Sequence, residues 1–477
     1  MMKPTKSSLS RRNFVRNTAA SVAAFTIVPR HVLGGVGFTA PSDTVVIAGI
    51  GVGGKGKSDL TECAKSPNAK VAYLCDVDDR MAVDSKANFP EAKYYKDFRT
   101  MLDEVGNDID AVTVSTPDHT HAVATLAAMQ MGKHVYVQKP LTHSIKEARM
   151  LTEAARKYKV VTQMGNQWAS AEPVRRTQEL IDADLIGEVN RVYAWTNRPV
   201  WPQGIPAPTG QHDIPSELDW DLWLGPAEKI DYNPAYVPFN WRGWWAFGTG
   251  ALGDMGCHIM DPFFRILPVE YPTEVECSTT TAWADFFKVA NFKESCPASA
   301  IIHLKFPRTD GKGDIKLTWM DGGLRPERPE ELGADEDVGD LSNGFIFEGT
   351  KGKIIGNYSS DPILLPTSRK EEADAVPKTI KRVPEGHYVS WVNASMKGYD
   401  QAEVSSPFDY AGPFTEAVLM GNLAIRAYMH QEKNSEGRTI YPGRKKLLWD
   451  ARNMNITNYD LANEFVMREY RSGWALS

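Results

Sequence analysis

Thr44-Val45-Val46-Ile47-Ala48-Gly49-Ile50 runs directly into Gly51-Val52-Gly53-Gly54-Lys55-Gly56, and this stretch decides the fold. Its first seven residues form a continuous apolar run rich in β-branched side chains, as in a parallel strand covered on both faces. The glycines fit G-x-G-x-x-G in the frame Gly51, Gly53, Gly56. An overlapping frame, Gly49, Gly51, Gly54, also fits, but the first begins where the strand ends and is preferred. Such a loop makes a tight turn, leaves no Cβ in the way of a pyrophosphate, and packs a helix closely on the strand with its N-terminus toward the phosphate charge. Val71-Ala72-Tyr73-Leu74-Cys75 is a second apolar strand ending in Asp76, twenty residues after Gly56. A carboxylate there accepts hydrogen bonds from an adenosine ribose and disfavours a 2′-phosphate. The expected cofactor is NAD in preference to NADP, held by Gly51, Gly53, Gly54, Gly56 and Asp76.

The alternation continues outward. Ala111-Val112-Thr113-Val114-Ser115 reads as a strand, Asp118 as a cap for a helix that includes Ala122 to Met131, and His134-Val135-Tyr136-Val137 as the next strand. Ser144 and Glu147 form a capping box for a helix through Ala148, Leu151 and Ala154, and Val160 to Met164 closes the set. Strand-helix alternation on this scale means a doubly wound parallel sheet with ligands at the carboxyl ends of its strands.

The whole chain suits this reading. It has 477 residues, 42% hydrophobic and 24% charged, enough for two or three globular domains. Net charge is −6, but the first forty residues hold Lys3, Lys6, Arg11, Arg12, Arg16 and Arg30 and no acid, so the remainder carries −12. An acidic body repels phosphate backbones, which argues against nucleic acid as a partner. Cys63, Cys75, Cys257, Cys277 and Cys296 are odd in number and lack metal-like spacing, so they read as separate reduced residues.

Ser10-Arg11-Arg12-Asn13-Phe14-Val15-Arg16 followed by the mostly apolar run Thr18 to Val28 resembles a twin-arginine leader. The run is about half the ~20 residues that span a bilayer, so no membrane anchor is expected. The resemblance implies export of a folded protein to the periplasm or beyond. Residues 1–40 are therefore expected to be a signal segment, 41–167 an NAD-binding domain, and 168–477 a substrate-binding and oligomerisation domain.

Thr116-Pro117-Asp118-His119-Thr120-His121 and Val137-Gln138-Lys139-Pro140-Leu141 resemble the TPxxxH and EKP signatures of the Gfo/Idh/MocA (glucose-fructose oxidoreductase / inositol dehydrogenase) family. Gly250-Ala251-Leu252-Gly253-Asp254-Met255-Gly256-Cys257-His258-Ile259-Met260-Asp261 is similar to its G-x-x-x-D-x-G-x-H-x-x-D helix. The resemblance implies an N-terminal Rossmann domain followed by a C-terminal α+β domain with an open, mostly antiparallel sheet. It also implies an NAD(P)-dependent oxidoreductase of CH–OH groups, usually a homodimer or homotetramer. Val189–Trp195, Ala300–Phe306, Asp314–Trp319 and Gly344–Gly349 read as strands of that sheet, and Thr415–Met429 and Lys445–Arg468 as helices. Residues 327–340 and 368–385 read as solvated loops.

By the same resemblance Lys139, Asp254 and His258 are the catalytic residues, with His258 the proton acceptor and Lys139 the group that polarises the oxygen. Asp254 and His258, spaced i, i+4, share a helix face, where the carboxylate can orient the imidazole. Thr116, Pro117, His119, His121, Gln138 and Lys139 are expected at the cofactor. His119 and His121 form an H-x-H pair without an evident third ligand, so no metal is expected. Gln138 departs from the signature: an amide stands where the motif has a carboxylate, which bears on the electrostatics of Lys139.

Eight of the 13 tryptophans fall between residues 168 and 245. Flat rings suit the C–H faces of sugars. Gln167, Trp168, Arg242, Trp245 and His258 are the candidate substrate contacts, for a carbohydrate or cyclitol, and about half of the tryptophans are expected in the core or an interface. Two alternatives stay open: an NAD-retaining glycosidase working by oxidation and elimination, and a non-catalytic sugar-binding relative.

Overall fold

A computed structural model describes residues 43–476, so the signal segment read over residues 1–40 lies outside the described residues. The first sheet is built from β1 (Val45–Ile50), β2 (Ala69–Cys75), β3 (Lys93–Tyr95), β4 (Ala111–Val114), β5 (His134–Val137) and β6 (Thr162–Met164). Its order is β3-β2-β1-β4-β5-β6, every pairing parallel, as in a doubly wound fold. Between β1 and β4 the strand order reverses, and that crevice faces the carboxyl ends of both strands.

Helix α1 (Lys55–Cys63) follows β1 through the glycine loop. Gly51 takes φ +75°, and a Cβ there would lie 2.8 Å from the backbone of Ser115 at the end of β4. A Cβ on Gly56 would lie 1.9 Å from the carbonyl oxygen of Gly51, so α1 approaches the strand as closely as backbone allows. These contacts match the Gly51, Gly53, Gly56 frame. Helix α2 (His121–Gln130) crosses from β4 to β5 and α3 (Ile145–Tyr158) from β5 to β6, and α3 starts with the Ser144/Glu147 capping box read from the sequence.

The second sheet has nine strands. They are β7 (Val189–Thr196), β8 (Glu274–Thr279), β9 (Ala300–Pro307), β10 (Asp314–Met320), β11 (Asn343–Gly349), β12 (Lys353–Gly356), β13 (Ile363–Leu365), β14 (Leu447–Asp450) and β15 (Asn455–Ile456). The order β13-β12-β11-β7-β10-β9-β8-β14-β15 is antiparallel except between β7 and β10. Helices α4 (Gly250–Ile259) and α6 (Phe408–Met429) pack against it, whereas α5 (Gly386–Lys397) packs against β1 and α1 beside the first sheet. Gly421 of α6 lets Leu252 of α4 approach to where its own Cβ would be, 2.5 Å away, and this fixes α4 in the core.

Three local expectations are corrected. Residues 445–468 form β14, β15 and a short 3-10 turn (Asp460–Phe465) instead of a helix. Asp450 accepts from the backbone N–H of Arg452 and Asn453, and Asn463 from that of Ile456 at 2.6 Å; such local side-chain bonds outcompete helix periodicity. Asp118 does not cap α2: its carboxylate is buried and accepts from Thr249 Oγ1 at 2.6 Å. Within residues 368–385 a short helix, Lys370–Ala375, forms.

Gly56→Ala should lower stability by about 1–3 kcal/mol through overpacking. Urea denaturation reads this directly, and an unchanged midpoint would contradict the close approach of α1 to the loop.

Candidate active site

An elongated cavity of about 600 Å³ runs from the end of β2, past the glycine loop, to the face of α4. At one end Asp76 does more than the sequence suggests. Its Oδ2 accepts from the backbone N–H of Val52 (2.8 Å) and Gly53 (3.2 Å), and its Oδ1 from Asp78 N–H (3.0 Å). The carboxylate thus holds the glycine loop in shape as well as lining the cavity, and burial raises its pKa. Gly51, Gly53 and Gly54 line the adjoining stretch, with Thr116 and Pro117 opposite. Phe98 and Trp474 wall the outer end; Trp474 comes from the C-terminal segment, where Arg99 lies 4.1 Å from its ring. Loop glycines, an acid at the strand end and an elongated shape fit a dinucleotide.

The two histidines of the H-x-H pair stand behind this wall. His119 is buried with Nε2 2.9 Å from the carbonyl oxygen of Trp223 and Nδ1 3.3 Å from that of Phe247, and burial pushes its pKa down to about 3. His121 sits between the carbonyl oxygens of Pro140 (2.8 Å) and Thr116 (2.9 Å). Neither lines the cavity, so both act on it through the backbone of its lining segments, a correction to the direct cofactor contact expected from sequence.

At the other end β5 delivers Gln138 and Lys139. Lys139 Nζ donates to the carbonyl oxygen of Asp254 (2.7 Å) and to its Oδ1 (2.8 Å), and Arg242 Nε reaches the same Oδ1 at 3.2 Å. Burial alone would raise the pKa of Asp254, but Lys139 and Arg242 hold it at about 2. Asp254 and His258 do share a face of α4 and both line the cavity, yet the carboxylate is engaged by the two cations and not by the imidazole. His258 is buried, its Nδ1 is without a partner, and burial followed by the charge of Lys139 pushes its pKa down to about 3. Gln167 also lines this end, and its Oε1 is buried and without a partner.

The tryptophans divide. Trp220 and Trp223 stack at 4.7 Å between ring centres in a buried aromatic cluster with Tyr236 and Phe247, and Trp195, Trp201, Trp244 and Trp245 are also buried. Trp223 and Trp241 line the cavity. Trp245 does not: it lies in the core with Arg426 at 5.9 Å from its ring. Trp168 is set one ring back, 5.4 Å from Tyr358, which is 5.8 Å from His258. Arg242 lines the cavity with its guanidinium over Trp241 (4.3 Å) and Phe239 (4.4 Å). The sequence does not single out Trp474, because its partner Arg99 is far away along the chain, and Phe239 stands outside the tryptophan cluster that draws attention to Trp241.

These features define a two-sheet NAD-binding oxidoreductase fold with a charged pocket. The oxidoreductase-family model for the NAD-binding Rossmann fold matches residues 44–166, and that for the family's C-terminal alpha/beta domain matches 173–293. The chain belongs to the Gfo/Idh/MocA oxidoreductase family, and its N-terminal part is that family's NAD-binding domain. It is 24% identical over 189 residues to levoglucosan dehydrogenase of Pseudarthrobacter phenanthrenivorans, covering 39% of this chain and 40% of that one. It is 30% identical over 151 residues to a glycosyl hydrolase family 109 protein of Shewanella sp. strain W3-18-1, covering 29% and 32%. The chain thus spans about a third to two-fifths of these relatives' lengths. Among solved structures, the dehydrogenase WlbA of Bordetella pertussis in complex with NADH and UDP-GlcNAcA superposes with a TM-score of 0.54 at 16% identity, over 79% of this chain and 94% of that one. A levoglucosan dehydrogenase complex with NADH gives 0.52 at 16% identity, over 81% and 98%.

Because the pKa of His258 is lowered from 6.5 to about 3, its imidazole is neutral throughout the range from pH 8 to pH 5. NMR of histidine-labelled protein should show no titration of His258 across that range. A midpoint near 6.5 would contradict its burial beside the Lys139 ammonium.

Proposed function

We propose that this protein is an NAD-dependent oxidoreductase that moves a hydride between the nicotinamide and a hydroxyl-bearing carbon of a sugar, glycoside or cyclitol. The observation that carries the reading is the set at one end of the cavity: the Lys139 ammonium clamped by Asp254, the neutral His258, and the unpartnered Gln167 Oε1. Bound NAD supplies the hydride acceptor. Gly51, Gly53, Gly54 and Asp76 hold the nucleotide, and the acid at position 76 favours NAD over NADP. Lys139 donates to the substrate oxygen and stabilises the negative charge that develops there. His258, uncharged, takes the hydroxyl proton onto its imidazole. Gln167 Oε1 accepts from a neighbouring hydroxyl, and Arg242, Trp241 and Phe239 form a flat wall for the ring.

The leader-like sequence over residues 10–28 supports export of the folded protein with NAD already retained, and the family resemblance supports a homodimer or homotetramer. A second reading is favoured by the similarity to glycosyl hydrolase family 109 proteins: transient oxidation of a hydroxyl, elimination of the glycosidic bond, and return of the hydride. Aryl glycosides separate the two. Phenol release without net NADH or keto product supports cleavage; NADH formation without phenol release supports simple oxidation.

Denatured, purified protein should release NAD(H), and a screen of sugars should change the absorbance of the bound nucleotide. Lys139→Met and His258→Ala should each lower turnover about 10²- to 10⁴-fold. Unaltered redox activity in both variants would defeat the site assignment whatever the fold, whereas wild-type protein that binds sugars and oxidises none would favour a sugar-binding protein without turnover.

A further inference from the structure

Behind Gln138 lies a fully buried carboxylate, Asp59, one turn into α1. Its partners are far apart along the chain, and the sequence does not single it out. Four donors from four elements converge on it. Its Oδ1 accepts from Lys55 Nζ (2.5 Å) and Tyr388 Oη of α5 (3.0 Å), and its Oδ2 from Ser115 Oγ at the end of β4 (2.8 Å) and Gln138 Nε2 at the end of β5 (2.8 Å). Cys63, Tyr136 and Tyr388 also face it. Burial drives their pKa values up, and the negative charge of Asp59 adds to the effect.

An ionised carboxylate only accepts, so it dictates how the Gln138 amide is turned: NH₂ toward Asp59, oxygen toward the backbone N–H of Lys139, which lies 3.4 Å from Oε1. Gly165 leaves the amide its space, since a Cβ there would lie 2.7 Å from Gln138 Nε2. The chain Asp59, Gln138, Lys139 therefore runs from α1 to the backbone N–H of the residue whose ammonium rests on Asp254. A Glu at 138 would set two carboxylates against each other at this buried spot, and they would share a proton.

Resting on the oxidoreductase reading of the site, we propose that Asp59 is a positioning residue for Gln138 and Lys139, supplying from α1 the buried negative charge that a Glu-Lys-Pro motif carries at position 138. The amide at 138 is thus the necessary partner of Asp59. Lys55, which lines the cavity, balances the same carboxylate, so this charge is fixed at the boundary between the glycine loop and the catalytic end.

The test is a double-mutant cycle with Asp59→Asn, Gln138→Glu and the pair together, read by NADH affinity from fluorescence and by melting temperature without added nucleotide. Each single variant should lose about tenfold in affinity at pH 8 and melt lower, and the double variant, with the charge exchanged across the same contact, should return to within about threefold of wild type. Gln138→Glu alone should regain affinity as pH falls toward 6, because the paired carboxylates then take up their shared proton. Single losses that simply multiply in the double variant, and melting temperatures that simply add, overturn the proposal. Should Asp59→Asn fail to fold, Gln138→Glu is compared with Gln138→Met: the Glu variant is expected to be the worse at pH 8 and to converge with Met at pH 6, and equal deficits at both pH values overturn it. Wild-type protein that binds NADH alongside non-coupled variants removes this inference alone. Wild-type protein without NADH affinity, but with coupled melting temperatures, removes the oxidoreductase reading instead.

Discussion

The contact of Lys139 with Asp254 is the constraint on which the rest of the site depends. It joins the last residues of a parallel-sheet strand to a buried helix more than a hundred residues further on. A charged pair this sheltered is stable only when complete, because removing one partner strands the other away from water. With Arg242 on the same carboxylate, two cations share the Asp254 anion, and the buried Asp118 lines the same cavity within electrostatic reach of both. The Lys139 ammonium supplies the positive charge needed where an alkoxide develops.

The same electrostatics divide the labour. Burial and the nearby ammonium make His258 costly to protonate in the resting protein, so it stands as a neutral acceptor, while Lys139 stays engaged as a donor. The architecture supports this from both sides. The glycine loop and α1 present backbone at one end of the cavity, and α4, locked against α6 through Gly421, presents polar side chains at the other. His119 and His121, tied to backbone carbonyl oxygens, pin the segment between Thr116 and Pro140 that lies between the two ends.

Much of this was legible in the sequence where the signal is local. The apolar run before Gly51, the glycine spacing, the capping box at Ser144 and the strands β7, β9, β10 and β11 each depend on neighbours within a few residues, and all appear in the structure, although only β9 alternates in burial throughout and β11 is buried on both faces. The polar edge strand β3 has too little apolar pattern in three residues to stand out. Residues 445–468 mislead because their spacing imitates a helix while Asp450 and Asn463 bind nearby backbone. Pairings across long separations, such as Asp59 with Gln138, Asp118 with Thr249, or Arg99 with Trp474, leave no periodic trace. Spacing alone likewise puts Asp254 and His258 on one face but cannot reveal that two distant cations claim the carboxylate first.

The central claim is that the charged end of the cavity is where an alcohol meets the nicotinamide. A crystal structure of the protein with NAD and a reactive sugar tests it most directly. The expected result is a sugar hydroxyl oxygen within hydrogen-bonding distance of both Lys139 Nζ and the His258 imidazole, with the nucleotide along the glycine loop. A nucleotide excluded from that loop, or a Lys139 side chain turned away from the sugar, would contradict it.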